Sequence, residues 1–229
     1  MIRFHPSTEQ LTQYAQGTLS PAESIMVSAH CDMCTRCRKI VHEATESLAT
    51  QVFDFPSQTV VFDECLGAML ADITQLPAAS GVGIGGQVET RPSAEEIELD
   101  GKVFTIPRTL QVLAGKTGNW SGLVGKLWQA PVDLGYSGAA NFIYMAKGGS
   151  VPEHTHRGVE YTLVLDGEFG DGLHHYRTGD FIKMDGEHTH APQTSYHSGC
   201  LVFSVLDQPL HFTSGIARLL NPFSHLFFK

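Results

Sequence analysis

Eight consecutive residues, His30-Cys31-Asp32-Met33-Cys34-Thr35-Arg36-Cys37, constrain this chain more than any other stretch. They hold one histidine and three of the five cysteines. Side chains three or four residues apart share a helical face, so His30, Cys34 and Cys37 can point at one atom. Nitrogen and sulfur donors of this kind suit tetrahedral Zn2+. A fourth protein ligand would make the site structural, and an open position would make it catalytic. His5 is the candidate for the fourth place. Cys31 competes with it, because Cys31, Cys34 and Cys37 are also spaced for a metal. A metal-free cluster of reduced thiols, or a partial disulfide, is the plainer alternative. Isolated helices seldom gather three thiols for packing alone.

The rest of the composition narrows the function classes. With 229 residues there is room for two ordinary domains. Hydrophobic residues make up 42% and charged residues 17%, which supports a sizeable core and little disorder. The net charge of −9 argues against a nucleic-acid surface and suits a basic protein partner. Residues 1–76 carry 4 basic against 9 acidic side chains, so the acidity is densest there. An odd number of cysteines, three of them in one cluster, is not a secreted disulfide framework. No basic and apolar N-terminal signal and no apolar run of about 20 residues is present. The expectation is a soluble cytoplasmic protein with no membrane contact.

Four short helices are predicted in the first third. Residues 7–16 place Leu11, Tyr14 and Ala15 inward and stop near Gly17. Ser20-Pro21-Ala22-Glu23 is a capping box with proline at the first helical position, and the helix it starts delivers His30 in its last turn. A third helix runs from near Cys34 to about Thr50, with Ile40, Val41, Ala44 and Leu48 at helical spacing. A fourth covers Asp63 to Gln75 with Leu66, Met69, Leu70 and Ile73. Such stripes are ordinarily core, yet four short helices make a small one that a structural metal would help to fold.

From Pro77 the texture becomes glycine-rich, and residues 77–98 read as a linker. Residues 99–229 then read as short strands separated by turns, as in an all-β barrel. Asn141 to Lys147, Glu160 to Leu165 and Cys200 to Leu206 are the clearest strands. Asp166-Gly167, Gly179-Asp180 and Asp185-Gly186 are the expected turns. His154, His156 and Glu160 share one face of an extended chain, which in a small barrel is the interior. Two histidines and a glutamate there are costly unless something pairs them, and a divalent metal does so. His174, His175 and His197 read as loop or surface histidines.

Two sets of residues carry a resemblance. His5 followed by His30-x3-Cys34-x2-Cys37-Arg38, with the run from His5-Pro6-Ser7 to Tyr14-Ala15-x-Gly17-Thr18-Leu19-Ser20, is similar to the zinc-binding anti-sigma module. It resembles in particular the ChrR-like subgroup, which joins that module to a cupin domain. Cys31 departs from the pattern, standing where an apolar residue is expected. Gly148-x5-His154-x-His156-x3-Glu160-x6-Gly167 resembles the first cupin motif, and Gly179-x10-His190 lies where the second belongs. The second motif has Asp185 where proline is usual and Glu187 where glycine is usual. His190 would be the fourth cupin ligand, with His188, of the same strand parity, as the alternative.

The resemblance implies a two-domain fold: a small all-α zinc-binding helical domain over 1–76 and an all-β cupin, a double-stranded β-helix or jelly-roll barrel, over 99–229. It implies Zn2+ on His5, His30, Cys34 and Cys37. It implies a divalent metal, first of all Zn2+ with Fe, Mn or Ni as alternatives, on His154, His156, Glu160 and His190. The function it implies is that of an anti-sigma factor without catalytic residues. Such a protein blocks an alternative, extracytoplasmic-function type sigma factor and releases it on an oxidative signal such as singlet oxygen, with the cupin as sensor. Pairing of two copies through the cupin is a further expectation. The alternatives are a metal-dependent cupin dioxygenase or isomerase with an accessory zinc domain, in which Tyr161 or Glu153 would have to serve as base, and a redox or metal sensor acting on DNA.

Overall fold

Each of the first two helices begins at a serine that satisfies otherwise free N–H groups. The structure, a computed structural model, describes residues 1–53, 64–75, 96–123, 126–135, 138–195, 197, 199–213, 215, 218–219 and 221. Helix α1, Thr8–Gln16, starts at Ser7, whose hydroxyl accepts the Gln10 N–H at 3.1 Å while the Gln10 side chain accepts the Ser7 N–H at 3.0 Å. It ends at Gly17, which turns left-handed at φ +69°. Helix α2, Pro21–Met33, starts at Ser20 with proline in the first turn. Cys34 leaves helical geometry at φ −118°, ψ 102°, so α3, Thr35–Phe53, is a separate helix. Helix α4 is Glu64–Gln75.

Packing divides the chain into two units, one of Met1–Thr45 with Ser93–Lys229 and one of Glu46–Pro92. Helices α1, α2 and the first half of α3 therefore share a unit with the strands. The helical domain expected over 1–76 is spread over both units, and the linker expected over 77–98 lies outside the described residues as far as residue 95. Within the second unit, α4 leaves Leu66, Met69, Leu70 and Ile73 each about half exposed.

The strands are β1 Glu96–Leu99, β2 Lys102–Thr105, β3 Ser121–Leu123, β4 Leu127–Val132, β5 Ala139–Met145, β6 His154–His156, β7 Glu160–Gly170, β8 His175–Arg177, β9 Phe181–Met184, β10 Thr189–His190, β11 Cys200–Leu206 and β12 Leu210–Phe212. A helix that the sequence reading did not anticipate, α5, Arg108–Ala114, stands between β2 and β3 and buries Leu110 and Leu113. Strands β1 and β2 pair by themselves; of the other two sheets the larger runs β3-β4-β5-β11-β7-β8 with β9 also on β7, the smaller runs β10-β6-β12, and all these pairings are antiparallel.

Strands β7 and β11 are apolar on both faces. Leu163, Leu165, Phe203 and Val205 belong to a cluster that includes Leu11, Met26, Val27 and Leu110 of the helices. Val164 and Val202, one residue out of phase, join Met145, Phe169, Ile182 and Met184 in a second cluster. Period-two alternation sends successive side chains to opposite faces, so one strand serves both cores. A fully buried leucine or phenylalanine contributes about 1.5–3 kcal/mol, which makes the helix-facing cluster a substantial bond between helices and barrel.

One expected turn is not a turn. Asp166-Gly167 lies inside β7, where the register with β11 slips between Leu201 and Val202 and leaves Leu165 as the extra residue of a bulge. Gly167 sits at φ +82°, and a Cβ there would lie 2.1 Å from the Gly199 carbonyl oxygen. The glycine that reads as a chain reversal instead lets a long strand bend. Gly179-Asp180 and Asp185-Gly186 do separate strands, β8 from β9 and β9 from β10.

Candidate metal centres

The break at Cys34 decides how the first cluster forms. His30 comes from the last turn of α2, Cys34 from the junction and Cys37 from the first turn of α3. The extended N-terminal segment brings His5 to them. His5 Nδ1 lies 3.4 Å from His30 Nε2, 3.5 Å from Cys34 Sγ and 3.4 Å from Cys37 Sγ. A tetrahedral ion with bonds of about 2.0 Å to nitrogen and about 2.3 Å to sulfur sets N···N edges of about 3.3 Å and N···S edges of about 3.5 Å. The four residues thus fit an N2S2 tetrahedron. Cys31, the competitor for the fourth place, is buried but outside the group.

The surroundings prepare these donors. The Gly179 carbonyl, which can only accept, receives the His30 Nδ1–H at 2.9 Å and leaves Nε2 with its lone pair free. Burial, and then His5, push His30 down to about 4 against the pull of the Gly179 carbonyl and the Asp180 carboxylate, so the ring is neutral. Burial and then Cys34 push the Cys37 thiol up to about 12. An ion taken up here would have to displace thiol protons.

The second cluster is built by register. In the smaller sheet His190 of β10 lies directly opposite His154 of β6, and His156 follows two residues on, with the same parity. Glu160 enters from the start of β7 in the larger sheet. His190 Nε2 lies 3.0 Å from His154 Nε2 and 3.1 Å from His156 Nε2, and His156 Nδ1 lies 3.1 Å from Glu160 Oε2 without hydrogen-bond alignment. The Pro152 carbonyl takes the His154 Nδ1–H at 2.8 Å, so His154 Nε2 is bare. No set of neutral tautomers then gives both Nε2 contacts of His190 a linear hydrogen bond. A cation among the three lone pairs does satisfy them.

Glu160 is prepared in the same way. Its Oε1 accepts the hydroxyls of Thr162 at 2.8 Å and Ser204 at 2.7 Å, which leaves Oε2 for the histidines. Burial alone would raise this carboxyl, but His156, His154 and the Ser204 hydroxyl outweigh it and hold it below the usual carboxylate range. Burial, then His154, push His190 down to about 4 against Glu160. His188 is not in the group; it is exposed and its Nδ1 rests 2.8 Å from Asp185 Oδ1. Thr162 and Ser204 were not singled out in the sequence, though their place in buried apolar strands marks them as polar groups in need of a partner.

The cavity beside this cluster is about 80 Å3, lined by apolar residues such as Ile143, Met184 and Val202 together with His154, Glu160 and His190. Larger hollows, 440 Å3 beside Ser20 and Asp207 and 560 Å3 beside Glu168 and Ser195, are lined by no metal-ligating group of this kind.

Comparison with known proteins meets this geometry from another side. Residues 112–209 match the family model described as ChrR Cupin-like domain. The anti-sigma-E factor ChrR of Cereibacter sphaeroides is 29% identical over 228 residues, which are 97% of this chain and 98% of that protein. Over 97% of its length the chain resembles ChrR. The crystal structure of Rhodobacter sphaeroides SigE in complex with the anti-sigma ChrR superposes with a TM-score of 0.65 at 26% identity, over 90% of this chain and all of the matched chain. The likeness to ChrR read from the two motifs therefore extends to the fold: helices with a His/Cys cluster, then a cupin-like barrel. Among the described residues no helix is long and apolar enough to cross a membrane.

Proposed function

We propose that this chain is an anti-sigma factor. It binds an alternative sigma factor of the extracytoplasmic-function type through its helices and holds it inactive in the cytoplasm. The observation that carries this reading is the similarity to ChrR along 97% of the chain, joined to a His2Cys2 group formed by the N-terminal segment and the α2–α3 junction. His5, His30, Cys34 and Cys37 hold a structural Zn2+, for which the tetrahedral spacing is the support. The half-exposed stripe Leu66, Met69, Leu70 and Ile73 of α4 supplies the apolar contact to the partner, and the acidic surface of residues 1–76 steers a basic one.

His154, His156, Glu160 and His190 hold a second divalent metal, and the barrel senses an oxidative signal. A metal bound there would supply a centre to which a small oxidant can coordinate. The residues around it admit little else: about 80 Å3 suits water or dioxygen, whereas sites for metabolites run to roughly 300–1,000 Å3. That size favours sensing over turnover of an organic substrate. The dioxygenase reading predicts oxygen uptake by the iron-loaded protein with simple diketones or thiols.

The test is co-expression with the alternative sigma factor of the same cell, followed by transcription from its promoter. A stable one-to-one complex that blocks transcription, and that resumes it after singlet oxygen is generated, is the expected result. Transcription at the full rate in the presence of excess protein would overturn the proposal.

A further inference from the structure

Both histidines of the first cluster are held in place by one turn of the barrel. Asp180, which joins β8 to β9, is completely buried. Its Oδ1 accepts the N–H groups of Arg3 at 2.7 Å and Phe4 at 3.1 Å, and its Oδ2 accepts the Arg177 N–H at 2.8 Å. The next residue, Phe181, donates its N–H to the Phe4 carbonyl at 3.0 Å. Residues 3 and 4 are thus tied to the turn along their backbone, and His5 follows at once. The preceding residue, Gly179, supplies the carbonyl on His30 Nδ1. Gly179 sits at φ +91°, and a Cβ there would fall 2.5 Å from Ile2 Cδ1, so the N-terminal segment can lie this close only over a glycine. The sulfur donors come from the α2–α3 junction.

We infer that Asp180 is a positioning residue for the N-terminal metal site. It fixes the segment that carries His5 and the turn whose carbonyl orients His30, so the nitrogen half of the site depends on the barrel. The inference rests on the reading that His5, His30, Cys34 and Cys37 hold a metal. Partners that orient metal ligands are worth about 10- to 100-fold in metal affinity when removed.

Cobalt is the probe, because only a site with sulfur ligands gives thiolate-to-cobalt charge-transfer absorption. The full chain, its Asp180→Ala variant and the shape-preserving Asp180→Asn variant are loaded with Co2+ and challenged with a chelator. The expected result is a changed charge-transfer band and about 10- to 100-fold faster loss of it in Asp180→Ala, a smaller effect in Asp180→Asn, and an unchanged second equivalent of metal. Loss of the band at the original rate in both variants would overturn the role of Asp180 alone. Loss of both metals together with the circular dichroism of the strands, in both variants, would also overturn it, since Asp180 would then merely hold the barrel together. A full chain that shows no charge-transfer band would overturn the metal-site reading and this inference with it.

Discussion

Tyr161 follows Glu160 on β7, and the two side chains leave the strand on opposite faces. Glu160 turns into the barrel toward His156, and Tyr161 turns out to α2, where its hydroxyl donates to Glu23 Oε1 at 2.5 Å. Hydrogen bonds to charged groups contribute about 1.5–3 kcal/mol. Tyr161→Phe should lower unfolding stability by about 1–2 kcal/mol, since part of Glu23 remains solvated. Metal content should stay as it is. Chemical denaturation with metal analysis checks both, and an unchanged midpoint would mean that this contact adds nothing.

The two candidate metal clusters lie on different elements, so metals proposed there should be lost independently. Cys34→Ser is expected to lose the metal of the first site and keep the second; Glu160→Gln is expected to do the reverse. His190→Ala should behave like Glu160→Gln, whereas His188→Ala should keep both metals, because His188 points to Asp185 and not into the barrel. Metal content per chain, measured by atomic emission, separates these outcomes. Metal loss in His188→Ala would shift the ligand assignment by two residues.

Asp171, which belongs to neither cluster but feels the charge of His190, offers a pH test. Burial would raise its carboxyl, but the His174 and Leu173 N–H groups and the Tyr176 hydroxyl outweigh it and hold it below the ordinary range. A carboxyl depressed on folding stabilises fully above its unfolded value, about 3.9, and loses that contribution as pH falls through the lower folded value. Asp171→Asn should therefore cost about 1–2 kcal/mol at neutral pH, and the gap between the two proteins should shrink as pH falls below the unfolded value and through the lower folded one. A gap independent of pH would assign the cost to packing.

Leu70 sits mid-stripe on α4, half exposed. Leu70→Glu should reduce sigma-factor binding by at least about 30-fold, in line with loss of a central contact worth 2 kcal/mol or more. Metal content and helical circular dichroism should not change. If helicity falls along with binding, the stripe is core and the docking surface lies on α1 to α3.

Much of this was legible in the sequence because the signals are local. Ser20-Pro21-x-Glu23 fixes the start of α2, and the spacing of His154 and His156 announces two side chains on one strand face; Glu160 was expected on the same extended chain but opens a separate strand, β7, in the larger sheet. His188 and His190 could not be separated, since their parity is the same; only the pairing of His190 with His154 distinguishes them. Asp166-Gly167 has the composition of a turn, and only the pairing with β11 shows that the strand runs on through it beside a bulge at Leu165. The packing of helices on the barrel was missed for a related reason. The apolar residues on both faces of β7 and β11 say that each face is covered, but not by what. Helix α5 follows Pro107 without a side-chain cap, so nothing local marks its start.

The hydrogen bond from His30 to Gly179 spans 149 residues, and that from Arg3 to Asp180 spans 177. On the ribosome, where chains grow at about 5–20 residues per second, the helices emerge many seconds before the turn that completes their metal site. Over that interval the newborn chain has its thiols in hand but not the backbone that orients its histidines. Completion of the first candidate metal site is therefore a late event of synthesis, and a chain broken off within the barrel would leave the cell with helices whose histidines were never locked.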